Sequence, residues 1–145
     1  MKAVIQRVLS ASVSVGGSIT GKIGRGFLIL LGVGSGDTEE SCLKLAAKIS
    51  KLRIFADENG KTNLSLKDVG GEVLAVSQFT LFADCSHGNR PSFFEAAEPE
   101  TANRLYERFC LELSALGFEP QKGVFGADMK IDMTADGPFT VLLEI

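Results

Sequence analysis

Between Phe27 and Val33 the chain reads Phe-Leu-Ile-Leu-Leu-Gly-Val, an unbroken apolar run. A strand with one wet face alternates apolar and polar residues, whereas one that does not alternate has to be covered on both faces. The run therefore demands neighbouring strands at its edges and a packed layer on each side. It is strand-sized, far short of the ~18 apolar residues that span a membrane. Upstream, Lys2 to Val8 is β-rich, and Ala11-Ser12-Val13-Ser14-Val15 alternates with period two. Gly16-Gly17 then offers the positive-φ positions of a tight hairpin, and Ser18-Ile19-Thr20 returns from it. Gly24 and Gly26 punctuate the approach to the apolar run.

Two helices interrupt the strands. Asp37 with Glu40 three residues later reads as a capping box, and Cys42, Leu45, Ala46, Ile49 and Leu52 follow at helical spacing. Asp57-Glu58-Asn59-Gly60 is a polar turn, and Gly70-Gly71 precedes a strand, Val73 to Val76, that runs into Ser77-Gln78-Phe79-Thr80-Leu81. Pro99 suits the first turn of a second helix, with Leu105, Tyr106, Phe109, Leu113 and Leu116 as its buried stripe and Gly117 as its stop. Two short strands are expected around Met129–Met133 and Phe139–Ile145, separated by Ala135-Asp136-Gly137-Pro138. The class is α+β: a mostly antiparallel sheet or open β-barrel with two packed helices, in a single domain over 1–145.

Charge narrows the function. Fifteen basic against eighteen acidic residues give a net charge of −3. A chain that grips long stretches of nucleic acid carries a basic excess, so any such contact is expected through a small local site, with modest salt dependence and no DNA partner. Three cysteines, Cys42, Cys85 and Cys110, cannot all pair and match no CxxC signature. The start of the sequence lacks a signal-peptide pattern. A reduced, cytoplasmic protein with no membrane partner, no metal and no cofactor is the expectation.

Three segments could carry chemistry. Asp84-Cys85-Ser86-His87 gathers an acid, a thiol, a hydroxyl and the only histidine. Side chains this close in sequence diverge and do not converge on one reacting atom, so the segment reads as a polar surface loop. Ser77-Gln78-Phe79-Thr80 places two hydroxyls and an amide at the end of an apolar strand, where polar groups must be bonded or face a pocket; on spacing alone a strand-end turn is favoured. Gly137-Pro138 puts a residue without an N–H inside a strand-like stretch, which requires an edge, a bulge or a turn, and frequency alone favours a trans bond.

Together these pieces resemble a known family. Gln6-Arg7-Val8, Ala11-Ser12-Val13, Gly32-Val33, Arg53-Ile54-Phe55, Ser77-Gln78-Phe79-Thr80-Leu81, Arg90-Pro91-Ser92-Phe93, Ala127-Asp128-Met129 and Asp136-Gly137-Pro138-Phe139-Thr140 occur in order along nearly the whole chain. The set is similar to that of the D-aminoacyl-tRNA deacylases. The resemblance implies a homodimeric hydrolase that cleaves the ester between a D-amino acid, and possibly glycine, and the 3′-terminal ribose of tRNA. It implies that Ser77, Gln78, Phe79 and Thr80 are the catalytic segment, lining the pocket for the terminal adenosine and its ester. It implies that Gly137 and Pro138, joined by a cis bond, reach into the partner subunit's pocket, with Arg7 bracing their loop.

A cis Gly-Pro bond aims two carbonyl oxygens the same way, a rigid acceptor pair for the substrate's α-ammonium. With ammonium and ester carbonyl fixed, an L side chain would strike Gly137-Pro138 and a D side chain would point outward, so selection works by rejection. Main-chain amides near Phe79 and Thr80 would polarise the ester, and the ribose 2′-hydroxyl would assist water. Thr80 as a covalent nucleophile is the rival mechanism, lacking an evident base. The sequence departs from the family at Ala135, where asparagine is usual, and at Phe139, where valine is common. Two alternatives remain: the related branch that removes L-alanine from mischarged tRNA, and a non-catalytic module that binds RNA ends.

Overall fold

The computed structural model describes residues 1–145. The N-terminal hairpin forms as the pattern requires. β1 (Lys2–Val15) turns at Gly16 and Gly17, with φ of 57° and 86°, into β2 (Ser18–Ile23). β1 is one long strand where the sequence predicted two. Its residues Lys2–Val8 pair antiparallel with the apolar run, β3 (Gly26–Gly32), and Ala11–Val15 pair with β2. α1 (Glu39–Ser50), a small hairpin of β4 (Phe55–Ala56) and β5 (Thr62–Leu64), and β6 (Glu72–Ser77) follow. After β6 come a 3-10 turn (Phe79–Phe82), α2 (Pro99–Ala115), β7 (Gln121–Lys122) and β8 (Met129–Glu144).

The main sheet runs β2-β1-β3-β6-β7, with β8 antiparallel along β1; the β3–β6 and β6–β7 pairs are parallel. At Gly21 a Cβ would come within 2.9 Å of the Lys122 carbonyl, so β2 approaches β7 and the sheet nearly closes on itself. The central strand is covered on both faces as its composition demands. Phe27, Ile29 and Leu31 join Cys42, Leu45, Ile49, Leu105 and Phe109 under the helices, while Leu28 packs with Val8, Val13, Leu74 and Val76 inside the curve of the sheet. Phe27 also stacks on Phe55, ring centroids 5.2 Å apart. No helix is long and apolar enough to cross a membrane.

Three local expectations are corrected. The first helix is capped by Thr38, whose φ of −130° is extended and whose N–H donates to Ser41 Oγ at 3.2 Å. Asp37 is engaged elsewhere: its carboxylate accepts the Met1 ammonium and the Gly34 N–H. Leu116 lies past the last turn of α2 and is 43% exposed, while Ala102 and Cys110 complete the buried stripe. The strand from Glu72 stops at Ser77 and gives way to the 3-10 turn, as the strand-end reading of Ser77–Thr80 expects. The two C-terminal strands are one, because β1 is long enough to template all of it. The register slips on either side of Val8, opposite Gly137-Pro138, and this bulge accommodates a residue that cannot donate to the ladder.

β8 has a second peculiarity: not one of its residues is buried, and Met133 and Leu142 are 50% and 64% exposed. A long apolar edge strand of this kind is a surface that proteins normally cover.

The buried thiols give a pH prediction. Burial pushes Cys42 up to about 11 and Cys110 up to about 12, against an ordinary 9.0. Above pH 9 the unfolded chain releases these protons and the folded chain keeps them, which favours unfolding. Urea midpoints are expected to be insensitive to these groups below about pH 8.5 and to fall steadily from pH 9 towards 11. Replacing both cysteines by alanine should flatten that decline; an unchanged slope would refute the assignment. In the native protein a thiol reagent should label exposed Cys85 alone.

Candidate active site

A cavity of about 600 Å³ opens beside the end of β6, lined by 19 residues of which 13 are hydrophobic. Its walls come from the end of β3 and the residue beyond it (Leu31, Val33), the end of β6 (Val76, Ser77), α2 (Ala102, Tyr106) and the segment entering β8 (Phe125–Met129, Ile131). Gln78, Phe79, Phe93 and the segment Ala96–Pro99 complete it.

The turn at its mouth has a local cause. β6 follows β3 in parallel until Leu31 meets Ser77, and the Gln78 N–H donates to the Leu31 carbonyl at 2.7 Å. Gln78 then leaves the strand conformation and the chain lies down across β3 at Gly32, where a Cβ would stand 3.0 Å from the Gln78 carbonyl oxygen and 3.1 Å from Leu81 Cβ. The first internal bond of the 3-10 turn runs from Leu81 N–H to the Gln78 carbonyl. The Phe79 and Thr80 amides therefore precede the turn's own ladder, like the leading N–H groups of any helix. Phe79 is 56% exposed and meets the edge of Phe93, centroids 4.9 Å apart. Gln78 Nε2 donates to Thr80 Oγ1, which ties the two side chains together at the rim.

The polar groups of the cavity are few. Tyr106 donates its buried hydroxyl to the Ala75 carbonyl at 2.9 Å, and burial raises its pKa, so it is held as a neutral, occupied donor. Glu98 and Asp128 are lining carboxylates that the sequence reading did not single out, although Asp128 lies within the Ala127-Asp128-Met129 match. Asp128 faces Lys130 Nζ at 3.1 Å. His87 and Cys85 are absent from the lining. Their loop is exposed, and Asp84, its carboxylate accepting the Ser86 N–H, is held below the usual range by that bond.

A second cluster forms around Gly137-Pro138. The bond is cis, against the expectation from frequency and in keeping with the resemblance. Arg7 Nε donates to the Asp136 carbonyl at 3.1 Å and lies 3.0 Å from Asp136 Oδ2, while Nη1 donates to the Ile54 carbonyl at 2.5 Å. The guanidinium also sits 4.8 Å from the centre of the Phe139 ring. The Phe139 departure thus adds a face for Arg7, which a valine could not provide.

Of the seven residues singled out in the sequence, Ser77, Gln78 and Phe79 line the cavity and Thr80 bonds to Gln78 beside it. Gly137, Pro138 and Arg7 are not among its walls. From the wall residue Met129 to Gly137 the strand advances eight residues, about 26 Å at strand rise. Within one chain the two clusters therefore stay apart.

Residues 4–144 match the D-Tyr-tRNA(Tyr) deacylase family. The chain belongs to it. Among curated relatives, the D-aminoacyl-tRNA deacylase of Lactobacillus gasseri is 54% identical over 100% of both chains. Among solved structures, one named c-Myc DNA Unwinding Element Binding Protein is 42% identical, with a TM-score of 0.95 over 100% of this chain and 99% of that one. A probable eukaryotic D-amino acid tRNA deacylase is 18% identical and shares the fold, with a TM-score of 0.88 over 99% and 98% of the two chains. The family's α+β architecture and this chain's agree throughout.

Proposed function

We propose that the protein is a D-aminoacyl-tRNA deacylase that acts as a homodimer, each subunit's Gly137-Pro138 completing the cavity of the other. Family membership supports the hydrolase activity. The observation that carries the assembly is the separation of two prepared half-sites along one uncovered strand. A second copy placed on that strand would cover Leu142 and bring a wedge to each cavity.

The chemistry follows from the geometry of the mouth. The terminal adenosine would enter the apolar cavity, with a base stacked on the exposed Phe79 face. The Phe79 and Thr80 amides would point at the ester carbonyl oxygen, where negative charge develops as water adds. An aminoacyl ester is an activated acyl donor, so polarising the carbonyl and excluding an L side chain suffice without a histidine base. Gly137 and Pro138 act here through backbone atoms, with Arg7 holding them in place. The whole chain serves as one domain, and three unpaired cysteines suit a reducing cytoplasm.

Purified protein incubated with D-Tyr-tRNA and L-Tyr-tRNA tests the reading: release of D-Tyr alone is expected. Release of L-Ala from its tRNA in place of D-Tyr would assign the chain to the other branch, and binding without release would make it a binding module. Thr80→Ala should retain most of the turnover, because the Thr80 hydroxyl is bonded to Gln78 and only its amide is used. An acyl-enzyme trapped on Thr80 would overturn this. Leu142→Asp should convert dimers to monomers in sedimentation and abolish deacylation together. An active monomer would exclude the shared site.

A further inference from the structure

A second concavity, about 360 Å³, lies where the C-terminal ends of α1 and α2 meet the Ser65–Asp68 turn. Three cations line it: Lys51, Arg53 and Lys67. Against them stands one carboxylate, Asp68, giving a local surplus of two positive charges in a chain whose net charge is −3. Asp68 accepts the Ser65 N–H at 2.8 Å and the Ser65 hydroxyl at 2.7 Å, which fixes the turn and occupies the carboxylate. Lys51, Arg53 and Lys67 form no ion pair, while Lys44, Lys122 and Lys130 each have a carboxylate within 4.0 Å. Arg53 is oriented by Nε to the Asn63 carbonyl at 2.7 Å and by a contact to the Asn63 side chain. The remaining wall is Ser50 and the apolar pair Leu116 and Phe118.

Resting on the deacylase reading above, we propose that this concavity binds one backbone phosphate of the tRNA substrate, with the attached sugar against Leu116 and Phe118. Unpaired cations around a recess with an apolar floor fit a phosphodiester and its ribose. The position fits as well. Arg53 is bonded to Ile54, whose carbonyl holds Arg7, which in turn holds the Gly137-Pro138 wedge. A subunit that lends its wedge would carry this basic recess with it, within reach of nucleotides preceding the terminal adenosine. An acidic protein would thus hold a polyanion through a small local site.

The test compares wild type with the Lys51→Ala/Lys67→Ala variant on full D-Tyr-tRNA and on the short ester D-Tyr-adenosine. Both lysines are exposed, so the variant should fold. On tRNA the KM is expected to rise about tenfold at low salt with kcat unchanged. The slope of log binding constant against log salt should become shallower by about 0.7 to 0.9, the loss of one phosphate contact. Hydrolysis of D-Tyr-adenosine should not change. An unaltered KM and salt slope on tRNA would overturn the proposal, as would equal losses on both substrates. A lowered Tm with an unchanged slope would mean that Lys51 merely caps α1, and would overturn it too. Inorganic phosphate serves as the competing small anion: if it saturates the recess without weakening tRNA binding, the site is for free anions and the proposal fails. A wild type that cleaves neither substrate would instead bring down the deacylase reading itself, and this inference with it.

Discussion

Gly137→Ala is expected to reduce kcat/KM on D-Tyr-tRNA by about 100-fold while leaving the protein folded. Gly137 has a φ of +124°, a region L side chains rarely adopt, and an added Cβ would lie 3.0 Å from the Phe139 amide nitrogen and 3.1 Å from Arg7 Nη2. Holding a non-glycine residue there costs on the order of 1–3 kcal/mol, so the loop relaxes and takes its carbonyls with it. Displacements of about 1 Å in positioning groups cost ~100-fold in rate. The residue is exposed within the chain, so global stability should change little, and a melting curve within a few degrees of wild type is the control. Retained activity within threefold would remove Gly137 from the site.

Gly26→Ala is expected to cost about 3 kcal/mol or more of stability, roughly a 10 °C fall in Tm. At Gly26 the first pair of the parallel β3–β6 ladder forms with Glu72, and a Cβ would sit 1.9 Å from the Glu72 carbonyl oxygen and 2.7 Å from its nitrogen. Those are backbone atoms, and Glu72 N–H already donates to the Arg25 carbonyl at 3.0 Å, so the strands must separate. Gly24→Ala is the matched control. Its nearest neighbour is the Glu72 Oε2 atom at 3.3 Å, the end of a side chain that can swing away, and the expected cost is under about 1 kcal/mol. Equal effects at the two positions would contradict the close-approach argument.

That pair shows what the sequence makes legible. Both glycines mark the entry to the central strand, but only the partner across the ladder separates the essential one from the tolerant one. The hairpin at Gly16-Gly17, the buried run from Phe27 and the two amphipathic helices are local patterns, and the structure contains all of them. The first helix cap lies one residue beyond the expected one because Asp37 and Thr38 both suit an N-cap locally; the contacts of Asp37 with Met1 and Gly34 decide between them. The continuity of β8 was hidden by Pro138, since a residue that ends most strands is here carried by a bulge against β1.

At the site, Ser77 to Thr80 stood out as polar residues ending an apolar strand, yet spacing alone favoured a simple turn. Resemblance, not periodicity, assigned them a pocket. Arg7 was legible only in that way, because its partners lie 47 and 129 residues away in the chain. Glu98 leaves no signal, since an acidic residue ahead of a helix is ordinary on any surface, and Asp128 is carried only within the Ala127-Asp128-Met129 match.

The last strand carries at one end a wall of its own subunit's cavity and, further along, the Gly-Pro wedge. In the proposed dimer it would act as a ruler, the spacing between the two reaction centres being set by the number of peptide units between them. Adding or deleting a single residue on that stretch would turn its side chains to the opposite face and misplace both centres at once.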